Sequence, residues 1–348
     1  MSEHDFNQTP DFAVKSKREY PTVAQAGLIM LGLTVWFFMV QYLLVFVIQT
    51  NPDIMDGFQN NATVYYFINA VYQAALLGLP ILLIFSKFKG STEKLARFNG
   101  ISSKEIVTVV ALGLLMYVAN ALLSSVSVEL ASIFTNVEIP EVPPVYETTD
   151  IITMMLLYVV IAPVFEEIMF RGIIMRGLEG VSKWFAIIVT AALFSLFHLS
   201  YYTVIPKFLG GVLLGYVVFA TDSLYSGIVI HLLNNAISGI LTIIYDNSSV
   251  MEDAEAILGE VTLADQITSI VFATGMSIGI IVVIIAVLVI MKNNSGTPNG
   301  EGGYIYKGKI REKYDCEKPV AFYKYIPIII SVAVFLAFTV IDIISCWK

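Results

Sequence analysis

Nine stretches of this sequence stay apolar for long enough to cross a lipid bilayer: residues 23–49, 64–86, 106–128, 151–175, 184–202, 203–221, 224–245, 266–291 and 325–347. A hydrocarbon core takes roughly 20 helical residues to cross, and it offers no water to satisfy backbone amides. The stretches are therefore expected to be helices, and no ten-residue alternating pattern points to a barrel. Composition agrees, since 57% of the 348 residues are hydrophobic and only 14% charged, a balance that no soluble domain of this size keeps. The expected fold class is all-α, a polytopic transmembrane helix bundle of about eight to nine spans.

The net charge of −8 says less than its distribution. Basic residues sort into alternate loops: Lys15, Lys17 and Arg18 before the first span, Lys87, Lys89, Lys94, Arg97 and Lys104 after the second, Arg176 and Lys183 after the fourth. Lys292, Lys307, Lys309, Arg311, Lys313, Lys318 and Lys324 follow the eighth. The remaining loops carry acids, among them Glu138, Glu141, Glu147, Glu252, Asp253 and Glu255. By the positive-inside rule the N-terminus is expected in the cytoplasm and, with nine spans, the C-terminus outside. The chain divides into a cytoplasmic tail at 1–22, a helical core at 23–291, a Gly- and Asn-rich cytoplasmic loop at 292–319 and a last span at 320–348. The lipid bilayer is the partner this implies for a chain at the cell membrane, and no nucleic acid is expected.

Between residues 151 and 245 ionisable residues enter apolar sequence, and each needs an explanation because lipid penalises charge. In Ala162-Pro163-Val164-Phe165-Glu166-Glu167-Ile168-Met169-Phe170-Arg171-Gly172, Glu167 and Arg171 are four residues apart and so share a helix face. Glu166 is turned about 100° away from that pair and is left free to act as a base. His198 closes Phe194-Ser195-Leu196-Phe197-His198. His231 and Asn235 stand on one face of the seventh span. Singly, each fits helix packing. Together, two glutamates, an arginine, two histidines and an asparagine on three spans suit water activation. Neutral imidazoles hold a divalent ion such as zinc, a carboxylate takes the water's proton, and an amide donates to the oxyanion. Two histidines are few for a metal, so Asn235 or Glu167 would complete the shell. A metal-free arrangement with Glu166 as base uses the same residues.

The order E-E-x-x-x-R, F-x-x-x-H, H-x-x-x-N on successive membrane helices resembles the CAAX-protease and bacteriocin-processing family, also called CPBP or Abi. The resemblance runs from Glu166 to Asn235, about a fifth of the chain. It implies a bundle of about eight helices with a buried hydrophilic active-site cavity, and metal-dependent endopeptidase activity on a membrane-associated peptide or protein. It also implies a site made of Glu166 as general base, Glu167, Arg171, His198, His231 and Asn235. A metal, zinc among the candidates, would sit on His198, His231 and Asn235. The segment 151–245 is then the catalytic region.

Other intramembrane protease classes fit worse. The sequence has no H-E-x-x-H and no Gly-x-Gly-Asp, and Ser182 lacks the following glycine of a rhomboid nucleophile. A non-catalytic scaffold or bacteriocin immunity protein with the same fold is the alternative, and an ion-coupled transporter a third. Several residues are expected to be structural: Lys207 snorkelling to the interface, Asp222 solvated, Gln41, Asn69 and Gln73 bonding between helices, and Gly210, Gly211 and Gly215 permitting close packing.

Overall fold

The computed structural model describes residues 20–88, 96–137, 139, 141–248, 262–293, 297–298, 304–306, 309–311 and 320–347. The helices in chain order are α1 (Val23–Thr50), the short α2 (Pro52–Asn60), α3 (Ala62–Lys87), α4 (Ser103–Phe134), α5 (Thr148–Leu178), α6 (Lys183–Leu196), α7 (Val204–Thr221), α8 (Leu224–Asp246), α9 (Leu263–Asn293) and α10 (Ile326–Ser345). Local sequence sets where several begin. Thr22 with Gln25, and Ser102 with Glu105, form reciprocal capping boxes at the starts of α1 and α4, and the Ser182 hydroxyl accepts from the Phe185 amide at the start of α6. The N-terminal tail, as far as residue 19, lies outside the described residues, as does most of the loop at 292–319.

Among the described residues eight helices are long and apolar enough to cross a membrane, which makes this a multi-pass membrane protein. The fifth expected span departs from the pattern. Its helix, α6, has 14 residues and is about 21 Å long, short of a hydrocarbon core. The chain then leaves helical geometry at residues 197–200, with Leu199 at φ 49°, and a single turn at Tyr201–Thr203 leads into α7. Hydropathy could not reveal this break, because Phe197, Leu199, Tyr201 and Tyr202 keep the stretch apolar. Irregular backbone at such depth is tolerated where protein or a polar cavity covers it.

A second irregularity lies inside helices. The α3 chain widens into a π-helical turn at Ala74–Gly78, and α5 does so at Met155–Ile161 and again at Ile168–Ile174. The first two of these turns each stop two residues before a proline, Pro80 and Pro163. A proline has no N–H and its ring collides with the carbonyl four residues back; a widened turn moves that carbonyl aside and lets the helix continue.

The interior belongs to α5–α8. Half of the apolar window of α7 is buried (50%), against 11% for α9, so α9 flanks the bundle and turns most of its surface to lipid. Glycines let α7 approach: a methyl group on Gly211 would lie 3.1 Å from Ala191 of α6, and one on Gly215 would lie 3.3 Å from Ile187. The loop after α3 also enters the bundle. Arg97 is 1% exposed, pairs through Nη1 with Glu179 at 2.6 Å and through Nε with Asp222 at 2.9 Å, and its carbonyl accepts from the Leu224 amide at 2.8 Å. Asp222 is thus a partner in a buried clasp across the ends of α5, α7 and α8, where a solvated loop acid was expected. Between α9 and α10, where an irregular loop was expected, Thr297–Pro298, Tyr304–Tyr306 and Lys309–Arg311 pair as a small antiparallel meander. The β-forming Tyr304-Ile305-Tyr306 supplies its central strand.

Candidate active site

Glu166 and Glu167 close the one α-helical stretch, Ala162–Glu167, that separates the two π turns of α5. Both are buried, Glu167 completely. The ion pair expected from the i, i+4 spacing is present: Arg171 Nη1 donates to Glu167 Oε1 at 2.9 Å. From α8, His231 Nδ1 lies 2.9 Å from the same oxygen. An ionised carboxylate only accepts, so His231 carries a proton on Nδ1 and, when neutral, holds its lone pair on Nε2. That lone pair faces the other glutamate, with 3.8 Å between His231 Nε2 and Glu166 Oε2. The gap exceeds a direct hydrogen bond and leaves both atoms free to address a third between them.

His198 stands in the unwound chain beyond α6, where the break in the fifth span places it. Its Nδ1 is 2.9 Å from the Phe194 carbonyl, which likewise directs the ring proton to Nδ1 and frees Nε2. Phe194 ties the cluster together. The Arg171 guanidinium stacks 4.3 Å above its ring, and the two imidazoles meet the ring edge-on, with centroids at 4.9 Å for His198 and 5.9 Å for His231.

Asn235 is buried one turn along α8 from His231, and its task follows from the backbone of α5. The Ala162 amide donates to Leu157 in π register, so the next carbonyl, that of Tyr158, would pair with residue 163. Residue 163 is proline and has no N–H to give. Asn235 Nδ2 supplies the missing donor to the Tyr158 carbonyl at 3.3 Å, while its Oδ1 accepts from Asn234.

The six residues singled out from sequence therefore fall into one region. Glu166, Glu167, Arg171 and His231 meet directly, His198 joins through Phe194, and Asn235 holds the helix that carries the glutamates. Among the described residues no group of three or more His, Cys, Asp or Glu is gathered as a metal cluster. The ring nitrogens nevertheless suit a metal. Both imidazoles have Nδ1 engaged and Nε2 free, the tautomer that ligation requires. Glu167 is committed to Arg171 and His231 through Oε1, while its buried Oε2 has no hydrogen-bond partner among the described residues.

Further residues shape the site without a motif to announce them. Gly227 of α8 faces Glu167: a methyl group there would lie 2.6 Å from Val218 Cγ2 and 2.9 Å from Glu167 Oε2. Lys207 of α7, expected at the interface, sits within electrostatic range of Glu166 and His198. Its signal in the sequence was a lone cation within an apolar run. Asn69 and Gln73 make none of the hydrogen bonds between helices expected of them: Asn69 Nδ2 donates to the Tyr65 carbonyl of its own helix at 2.9 Å, and Gln73 Oε1 is buried with no hydrogen-bond partner among the described residues.

Comparison with known proteins finds a family match over the segment that contains these residues. Residues 148–237, from the start of α5 to just past Asn235, match the family model of Rce1-like type II CAAX prenyl endopeptidases, a family of membrane proteases. The match is consistent with the CAAX-protease and bacteriocin-processing resemblance carried by the three motifs. No curated protein and no solved structure matched the chain.

Proposed function

We propose that this membrane protein, with its Rce1-like segment, is an intramembrane metal-dependent endopeptidase that cuts a membrane-associated peptide with water activated by Glu166. One observation carries the reading: Glu166 Oε2 and the free Nε2 of His231 face each other across 3.8 Å, backed by a buried Arg171–Glu167 pair that fixes the imidazole. A water set beside the line joining the two atoms lies within hydrogen-bond reach of both, about 2.8 Å from each.

His198 and His231 would hold a divalent ion through Nε2, with the Asn235 oxygen as a third donor. Such an ion, when bound, supplies acidity to water and polarises a carbonyl oxygen. Glu166 takes one proton from the attacking water as its oxygen bonds to the scissile carbonyl carbon. The same carboxyl then returns that proton to the leaving amine as the C–N bond breaks, so it ends the cycle ionised. Glu167 keeps His231 in the required tautomer, and Arg171 holds Glu167 in place through their 2.9 Å pair. The distribution of basic residues among the loops supports a cytoplasmic N-terminus.

The test uses purified full-length protein in liposomes with quenched fluorescent peptides that have apolar centres. Glu166→Gln keeps size and fold and should lower kcat about 10²–10⁴-fold, the usual worth of a general base. His198→Ala should lose bound metal, read by elemental analysis, together with cleavage. Undiminished cleavage by Glu166→Gln overturns the mechanism; loss of cleavage with full metal content overturns the ligand assignment.

A further inference from the structure

Beside the glutamates a cavity of about 380 Å³ opens between α3, α5 and α8, large enough for a ligand. Its walls include Asn69 and Gln73 of α3, Leu157, Tyr158 and Ala162 of α5, and Ser238 of α8. Ala162 precedes Glu166 by one turn on the same face of α5, so the cavity adjoins the proposed base. The Tyr158 carbonyl that Asn235 holds belongs to the same wall.

Beside the hydroxyl residues Tyr65, Tyr66, Tyr158, Ser238 and Thr242, the cavity carries two primary amides. Asn69 and Gln73 stand four residues apart and place two primary amides one above the other along α3. The buried Gln73 Oε1 has no hydrogen-bond partner among the described residues, while Asn69 donates one N–H to the Tyr65 carbonyl and keeps a second. An acceptor buried in this way costs about 1–3 kcal/mol until a donor reaches it. Apolar surface from Val142, Met154, Leu157 and Ala162 and the rings of three tyrosines complete much of the wall. Amide pairs in an apolar trough match the one ligand that is apolar in its side chains yet carries unpaired N–H and C=O groups, a peptide segment with no secondary structure of its own. A helical substrate must unwind before its backbone can be attacked, and unwinding inside a bilayer needs protein groups to satisfy the backbone.

We propose that this cavity is the substrate groove: it receives an extended apolar stretch of peptide next to the bond that Glu166 attacks, and Asn69 and Gln73 pair with its backbone. The inference rests on the protease reading above and extends it to the site's choice of substrate.

The experiment uses the full-length protein in liposomes and a fixed set of biotinylated decapeptides with apolar centres. In the Glu166→Gln background Leu157 is replaced by photo-leucine, with Leu82, which is 68% exposed on the lipid face, replaced in a control. Peptide labelling at Leu157 is expected to exceed that at Leu82 at least tenfold and to fall when Gln73→Leu is added. In the active protein, Gln73→Leu, nearly isosteric and free of the unpaired acceptor, should raise KM about tenfold with kcat within about twofold, the effect of one hydrogen bond. Asn69→Leu serves as a second variant with the same expectation. Equal labelling at Leu157 and Leu82, or unchanged KM in both variants, overturns the groove. Peptides that label Leu157 yet resist the active protein uphold the groove and remove the protease reading; peptides that are cut without selective labelling do the reverse.

Discussion

One oxygen of Glu167 serves both Arg171 and His231, each at 2.9 Å, in surroundings from which solvent is almost excluded. Removing a single member of such a set leaves a charge without its partner. Arg171→Met is therefore expected to cost about 3–5 kcal/mol of stability, measured by unfolding in detergent. The double variant Arg171→Met with Glu167→Leu removes both charges and should regain most of that loss. Its activity should stay about 10–100-fold down, because nothing then fixes the His231 ring; recovery of kcat together with stability would show that the pair serves packing alone. Gly227 gives a second test at this scale. Gly227→Ala adds a methyl group 2.9 Å from Glu167 Oε2 and 2.6 Å from Val218, which should destabilise by about 1–3 kcal/mol and lower kcat as the carboxylate is displaced.

Helix α5 shows how a fault in an element becomes useful. Pro163 cannot donate to the Tyr158 carbonyl, the π turn carries the chain past the proline, and Asn235 covers the carbonyl left over. If this account holds, the effects of the two residues are coupled. Asn235→Ala should cost about 1–3 kcal/mol alone but much less when Pro163→Ala has restored a backbone donor, a coupling that a double-mutant cycle in unfolding experiments measures. Additive losses would refute it. The same helix marks how far the sequence could be read. Glu167 and Arg171 declared their pairing because i, i+4 spacing is local, and His198, His231 and Asn235 stood out because polar groups in lipid need a reason. The short α6 escaped notice since Phe197 to Tyr202 remain apolar through the break. Arg97 with Glu179 and Asp222, and the amides of Asn69 and Gln73, join or line regions far apart in the chain. No local pattern encodes such proximity.

At the scale of the whole bundle, charge sorts the loops into two sides, and the sides can be tested. In a chain freed of Cys316 and Cys346, a cysteine at exposed Glu141 should react with a membrane-impermeant thiol reagent on intact cells, while one at exposed Ser182 should react only after lysis; the opposite pattern would reverse the orientation. The two ends of the catalytic helices are also built differently. Toward the Ser182 end, Arg97, Glu179 and Asp222 form the buried clasp, with Ala96 set against Gly172 so closely that a methyl group on the glycine would lie 3.0 Å away. Toward the Glu141 end, Val142 borders the groove. A cut fragment that stays in the cavity occupies the space that the next peptide needs. Turnover is therefore expected to slow as fragments accumulate, with cut peptide acting as a competitive inhibitor of uncut peptide in progress curves.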